Sequence, residues 1–98
     1  MILLGFLLAC GGDRTEDILA LTGDADAGAS VYTSECAGCH GADGEGGVGP
    51  AMTTVVPAHT DAQFVDVVLV GVGEMPAHDY MDDQEIADVL AYSRATFE

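Results

Sequence analysis

The 98-residue chain sets 17 acidic residues against two basic ones, Arg14 and Arg94, for a formal net charge of −15. That balance excludes a binder of nucleic-acid backbones, which needs clustered Lys or Arg to displace counterions, and disfavours polybasic attachment to anionic lipid. Disorder is the usual companion of such charge, but 49% of the residues are hydrophobic, so the chain folds as one small domain or lends part of itself to a membrane.

The apolar excess begins at the front. Met1–Ala9 (MILLGFLLA) has no charge and is too short for a bilayer span of about 20 residues. It reads as the hydrophobic part of a cleaved secretory signal. Leu7-Leu8-Ala9-Cys10 resembles the lipobox of bacterial lipoproteins, which implies cleavage before Cys10 and acylation of that cysteine. The absence of Lys and Arg ahead of it departs from the pattern, and the competing reading is a plain secretory signal with an incidental cysteine. Residues 10–23 follow as a tether whose flexible r.m.s. reach is roughly 20 Å. The alternative is that Ile18–Leu21 packs on the domain and shortens the leash. The domain proper is 24–98.

Three helices are predicted in it. The first runs from about Asp24 to Cys36, with Asp24 as N-cap and Asp26 in the first turn, where carboxylates meet the positive end of the dipole. A second starts at Thr60, which forms a capping box with Gln63, carries Phe64, Val65, Val68 and Leu69 as its apolar stripe, and ends at Gly71. The third starts at Asp82, boxed with Glu85. Its stripe is Ile86, Val89, Leu90 and Phe97, and Asp83 and Asp88 are expected to face water. Between the first two helices lies Gly38–His59, expected as a loop, with glycine at 41, 44, 46, 47 and 49. So long a glycine-rich loop is improbable in a compact domain unless something anchors it. A short chain with few large apolar residues also wants a staple. Both features ask for a large buried cofactor.

Cys36-Ala37-Gly38-Cys39-His40 answers that request. C-x-x-C-H is the attachment sequence for c-type haem: two thiols meet the two vinyl groups of one macrocycle, and the adjacent imidazole coordinates the iron. Two other readings compete. A redox disulfide belongs at a strand-to-helix junction of an alternating α/β chain, and no such strands are visible. A zinc site would need four ligands, with His59 and His78 completing the pair, although their flanks are unlike a zinc hairpin.

The flanking motifs extend the match. Gly23-Asp24-x-x-x-Gly28-x-x-x-Tyr32-x-x-x-Cys36-x-x-Cys39-His40-Gly41, then Gly49-Pro50, then Gly71-Val72-Gly73-Glu74-Met75-Pro76, then Asp82 to Tyr92 resemble the class I cytochromes c over about Asp24 to Phe97. The resemblance implies an all-α, small cytochrome c-type fold of about three main helices around one covalently bound haem c. It implies thioether links at Cys36 and Cys39, His40 as proximal ligand, and Met75 as distal ligand. It further implies that the Pro50 carbonyl accepts the other His40 ring proton, that Gly28 and Tyr32 meet the last helix near Tyr92, and that Met52 packs on the haem. For the sixth iron position Met52, His59, His78 and Met81 are weighed against Met75, and His78 is the serious rival.

With both axial positions filled such a site exchanges electrons and has no place for substrate. No nucleophile–base pair is evident, so the expectation is an electron carrier rather than an enzyme, in the bacterial periplasm or cell envelope and lipid-anchored through Cys10. Its partners are expected to be respiratory or dehydrogenase components. Two alternatives are a haem-based sensor of small ligands and a small cytochrome subunit of a larger oxidoreductase. The stretch 46–60 has no Asp, Glu, Lys or Arg and is expected either to dock partners at the haem edge or, through Val55 and Val56, to pack beneath the haem. The acidic surface either steers a basic partner or is only a solvated exterior.

Overall fold

The computed structural model describes residues 13–98. Cys10 and the signal segment 1–9 lie outside them. Among the described residues six helices follow in order: α1 (Asp13–Leu19), α2 (Ala25–Glu35), α3 (Ala37–His40), α4 (Met52–Ala58), α5 (Asp61–Val70) and α6 (Asp83–Phe97). Among the described residues there is no strand, only an isolated bridge between Val72 and Met75.

Helix starts follow the local chemistry. The Asp24 carboxylate accepts from the Asp26 and Ala27 amides, at 2.9 and 3.3 Å. Thr60 and Gln63 satisfy each other's amides at the start of α5, and Asp82 and Glu85 do the same for α6. Gly71 then ends α5 with a positive φ of 82°, which glycine adopts without a Cβ penalty.

α6 is the hub. Ile86, Ala87, Asp88, Val89 and Leu90 are buried in succession, which requires neighbours on nearly every side. α2 crosses it closely at Gly28. On one flank Ile18, Val65, Val68, Met81, Ile86 and Leu90 form one cluster; on the other, Tyr32, Met52, Val56, Val89 and Phe97 form a second. Tyr32, Tyr92 and Phe97 interlock, with ring centroids 5.3–5.7 Å apart. Gly28, Tyr32 and Tyr92 thus meet as the sequence resemblance implied.

Three expectations change. The predicted tether is helical from Asp13 to Leu19, and Ile18, 1% exposed, is part of the core. Arg14 holds it there, donating to the Asp83 carboxylate (2.7 Å) and to the carbonyls of Asp79 and Met81, while Thr15 donates to Asp66 at 2.7 Å. The packed alternative is therefore the one realised.

Second, Asp88 does not face water. It is buried and accepts from the Asp24 amide and from Gln84 Nε2, each at 2.8 Å, and these bonds replace its hydration. Third, the loop between the first two predicted helices contains α4. Its sequence, MTTVVPA, has poor helix propensity and includes Pro57, but Met52 and Val56 are buried against Tyr32, Val89 and Phe97. Arg94 of α6 closes the end of α4, donating to the carbonyls of Val56 (2.6 Å) and His59 while pairing with Asp61 and Glu98.

Candidate haem site

The Cys36–His40 stretch is wound as helix. Cys36 caps the end of α2, its amide donating to the Tyr32 carbonyl at 2.9 Å, and α3 continues with the His40 amide donating to the Cys36 carbonyl at 3.0 Å. Positions three and four apart share a helical face, so this winding sets Cys36, Cys39 and His40 side by side. All three line a cavity of about 460 Å³.

The glycine-rich segment is anchored on that turn. The Gly46 amide donates to the His40 carbonyl (2.7 Å) and the Gly49 amide to the Cys39 carbonyl (2.8 Å). Gly44 sits against Phe97, where a Cβ would come within 2.4 Å of the ring. Gly49 passes so near His40 that a Cβ would lie 2.8 Å from the imidazole. That approach delivers the Pro50 carbonyl to His40 Nδ1 at 2.8 Å. A carbonyl only accepts, so Nδ1 carries the proton and the lone pair is left on Nε2. The implied Pro50–His40 bond is thus present in the protein chain itself.

The remaining walls are largely apolar. Met52 and Val56 come from α4, Phe64 and Val68 from α5, Val89 from α6, and Met75 from the segment after α5. Met75 sits in a tight turn in which its amide and carbonyl exchange hydrogen bonds with Val72 at 2.9 and 3.1 Å. Gly71 and Gly73 supply the positive φ values, 82° and 57°, that this turn requires.

The other candidate donors separate by environment. Met52 and Met81 are buried core residues, 6% and 4% exposed. His59 is exposed at the end of α4, its Nδ1–H donating to the Val55 carbonyl at 2.6 Å. His78 is half-buried; all four of these residues line the same cavity as Met75, so burial and not cavity lining distinguishes them. The uncharged stretch 46–60 divides likewise: Val48 is 80% exposed at the cavity mouth, whereas Val56 is core.

Electrostatics argue against a reactive dithiol. Burial, then the nearby Glu35 carboxylate and Cys39, push the Cys36 thiol up to about 11, so at neutral pH it is not a thiolate nucleophile or a ready metal ligand. Among the described residues no cluster of three or more His, Cys, Asp and Glu is placed to hold a metal ion, so the zinc reading has no site. Two thiols, an imidazole lone pair, a thioether and apolar walls do fit a flat, largely apolar macrocycle with a central iron.

The donor set and the helical enclosure define a small haem-binding domain. Comparison with known proteins places it. The model of the family described as cytochrome c oxidase, cbb3-type, subunit III matches residues 23–92. A cytochrome c-553-like protein of Synechocystis sp. is 36% identical over 76% of this chain and 71% of its own. Cytochrome c-551 of Bacillus subtilis is 31% identical over 94% and 90%. The crystal structure of cytochrome cL from Methylophaga aminisulfidivorans superposes with a TM-score of 0.66 at 25% identity, over 74% of this chain. The chain spans 55% of that protein, about half its length.

The chain belongs to this family of c-type cytochrome domains and is a class I, single-haem member. It accordingly carries one covalently bound haem c, and it is an electron-transfer protein and not an enzyme.

Proposed function

We propose that Cys36 and Cys39 form the two thioether links, that His40 Nε2 is the proximal ligand with its tautomer fixed by Pro50, and that Met75 is the distal ligand. The 2.8 Å bond from His40 Nδ1–H to Pro50 carries the reading, because it leaves Nε2 as the coordinating nitrogen on a helical face shared by both thiols. Bound there, haem supplies a one-electron iron couple whose potential the thioether raises. The rest of the chain keeps the two ligands still: α3 is fastened by the Gly46 and Gly49 amides, and Met75 by its reciprocal bonds to Val72. Rigid ligands and apolar walls keep reorganisation small.

Export to the bacterial envelope, with Cys10 acylated as a membrane anchor, is the cellular setting we infer from the lipobox-like Leu7-Leu8-Ala9-Cys10. Among the described residues no helix is long and apolar enough to cross a membrane. Partners are respiratory or dehydrogenase proteins that meet the mouth of the cavity, where Val48 and Val72 are exposed. Carbon monoxide separates a carrier from a ligand sensor: a carrier binds it slowly and weakly at neutral pH, and rapid tight binding would contradict the reading. The subunit description of the matched family favours a second setting, inside a larger oxidoreductase. Co-purification with a large partner after mild detergent extraction would establish it.

A further inference from the structure

The segment after α5 brings three potential iron donors to the same cavity, Met75, His78 and Met81, of which Met81 is buried in the core and the proposed ligation uses only Met75. The His78 amide is fixed to the Val68 carbonyl at 2.7 Å, its carbonyl accepts from the Met81 amide at 3.1 Å, and its ring lies 5.6 Å from that of Tyr80. Tyr80 donates in turn to Glu35, the residue before Cys36, which ties this segment to the end of α2. His78 Nδ1 lies 2.9 Å from the Pro76 carbonyl. As at His40, a carbonyl partner puts the proton on Nδ1 and the lone pair on Nε2. No other hydrogen bond to the His78 ring occurs among the described residues.

We propose that His78 is a reserve iron ligand: when the Met75 thioether leaves the sixth position, His78 Nε2 takes it. The proposal rests on Met75 being the distal ligand. The step is an exchange of one iron–sulfur bond for one iron–nitrogen bond, with no electron, proton or third reactant consumed. Imidazole suits iron better than a soft thioether does when the metal is oxidised, so the exchange belongs to the oxidised protein and lowers its potential. The other donors also line the cavity but are worse placed: Met52 and Met81 are packed into the core, and His59 lies exposed at the end of α4 with its ring bonded to the Val55 carbonyl.

The test uses the haem-loaded full chain with Met75→Leu, which keeps volume and apolar character. Met75→Ala serves as a second variant should the leucine perturb folding, and each is also combined with His78→Gln. The readouts are the spin state of the oxidised protein, the thioether-to-iron charge-transfer band and the midpoint potential. The expected result is a Met75→Leu protein that loses the charge-transfer band and shifts to lower potential yet stays low-spin, while the double variant turns high-spin. A Met75→Leu protein already as high-spin as the double variant overturns the reserve role and leaves Met75 as ligand. A double variant that remains low-spin assigns the position to another donor and also overturns it. If Met75→Leu matches the parent in band and potential, Met75 is not the ligand, and the reading beneath the proposal falls with it.

Discussion

Gly28 and Asp88 touch backbone to backbone. A Cβ built on Gly28 would lie 2.0 Å from the Asp88 carbonyl oxygen and 2.8 Å from Tyr92 Cβ. The crossing of α2 over α6, and with it the seat of Tyr32 and the end of α2 at Cys36, depends on that missing atom. Neither neighbour is a flexible side-chain tip, so the helices themselves would have to separate. Gly28→Ala is expected to cost at least about 3 kcal/mol. Denaturant unfolding of the haem-loaded protein measures it, and a loss below about 1 kcal/mol would show that the crossing relaxes easily.

Ser93 presents the opposite case. It is fully buried on α6, and its hydroxyl has no hydrogen-bond partner among the described residues. Ser93→Ala removes a desolvated polar group and improves helix propensity, so the variant is expected to be more stable by about 1 kcal/mol. A destabilised variant, judged by its unfolding midpoint, would contradict this.

Arg94 joins three elements through its planar fork: α4 by the carbonyls of Val56 and His59, α5 by Asp61 at 2.8 Å, and its own helix end by Glu98. Lysine keeps the charge but not the fork. Arg94→Lys is therefore expected to lose about 1–3 kcal/mol, and Arg94→Ala somewhat more. Because the lost bonds sit at the end of α4, amide exchange around Val56–Thr60 should accelerate before the rest of the molecule does.

The Tyr32 hydroxyl donates to the Gly41 carbonyl at 2.7 Å. Burial above all pushes it from 10.0 up to about 12. An acid whose folded value lies above its unfolded one contributes stability that is whole below about pH 10 and is lost as pH rises toward 12. Tyr80, raised to about 12 by its hydrogen bond to Glu35, falls in the same window. Tyr32→Phe should lower stability at neutral pH by about 1 kcal/mol and flatten, without abolishing, the alkaline decline. Stability measured from pH 8 to 12 checks both effects.

What the sequence discloses depends on how local the cause is. The capped starts of α2, α5 and α6 and the Cys36–His40 motif are written in neighbouring residues, so they can be read directly. The contacts of Gly28 and Pro50, and the role proposed for Met75, came from resemblance, because neighbouring residues do not announce them. α4 was illegible: its β-branched residues and Pro57 argue against helix, and what holds it is burial of Met52 and Val56 together with an arginine 38 residues away. α1 was legible only as an alternative: Ile18 opens the apolar run Ile18–Leu21, but it becomes core only when α5 and α6 receive it. Asp88 misled as any buried carboxylate does, its partners being an amide 64 residues earlier and a glutamine one turn away. The two arginines, which began as a charge count, are the clamps for α1 and α4, so the −15 surface carries no free Lys or Arg among the described residues.

The most direct test of the account is the amount of covalently attached haem per chain, measured by the pyridine haemochrome after acid–acetone extraction in the parent, Cys36→Ala, Cys39→Ala and the double variant. The account predicts one c-type haem per parent chain, a single thioether with its shifted haemochrome band in each single variant, and no retained haem in the double. Covalent haem surviving in the double variant, or none in the parent, would contradict it.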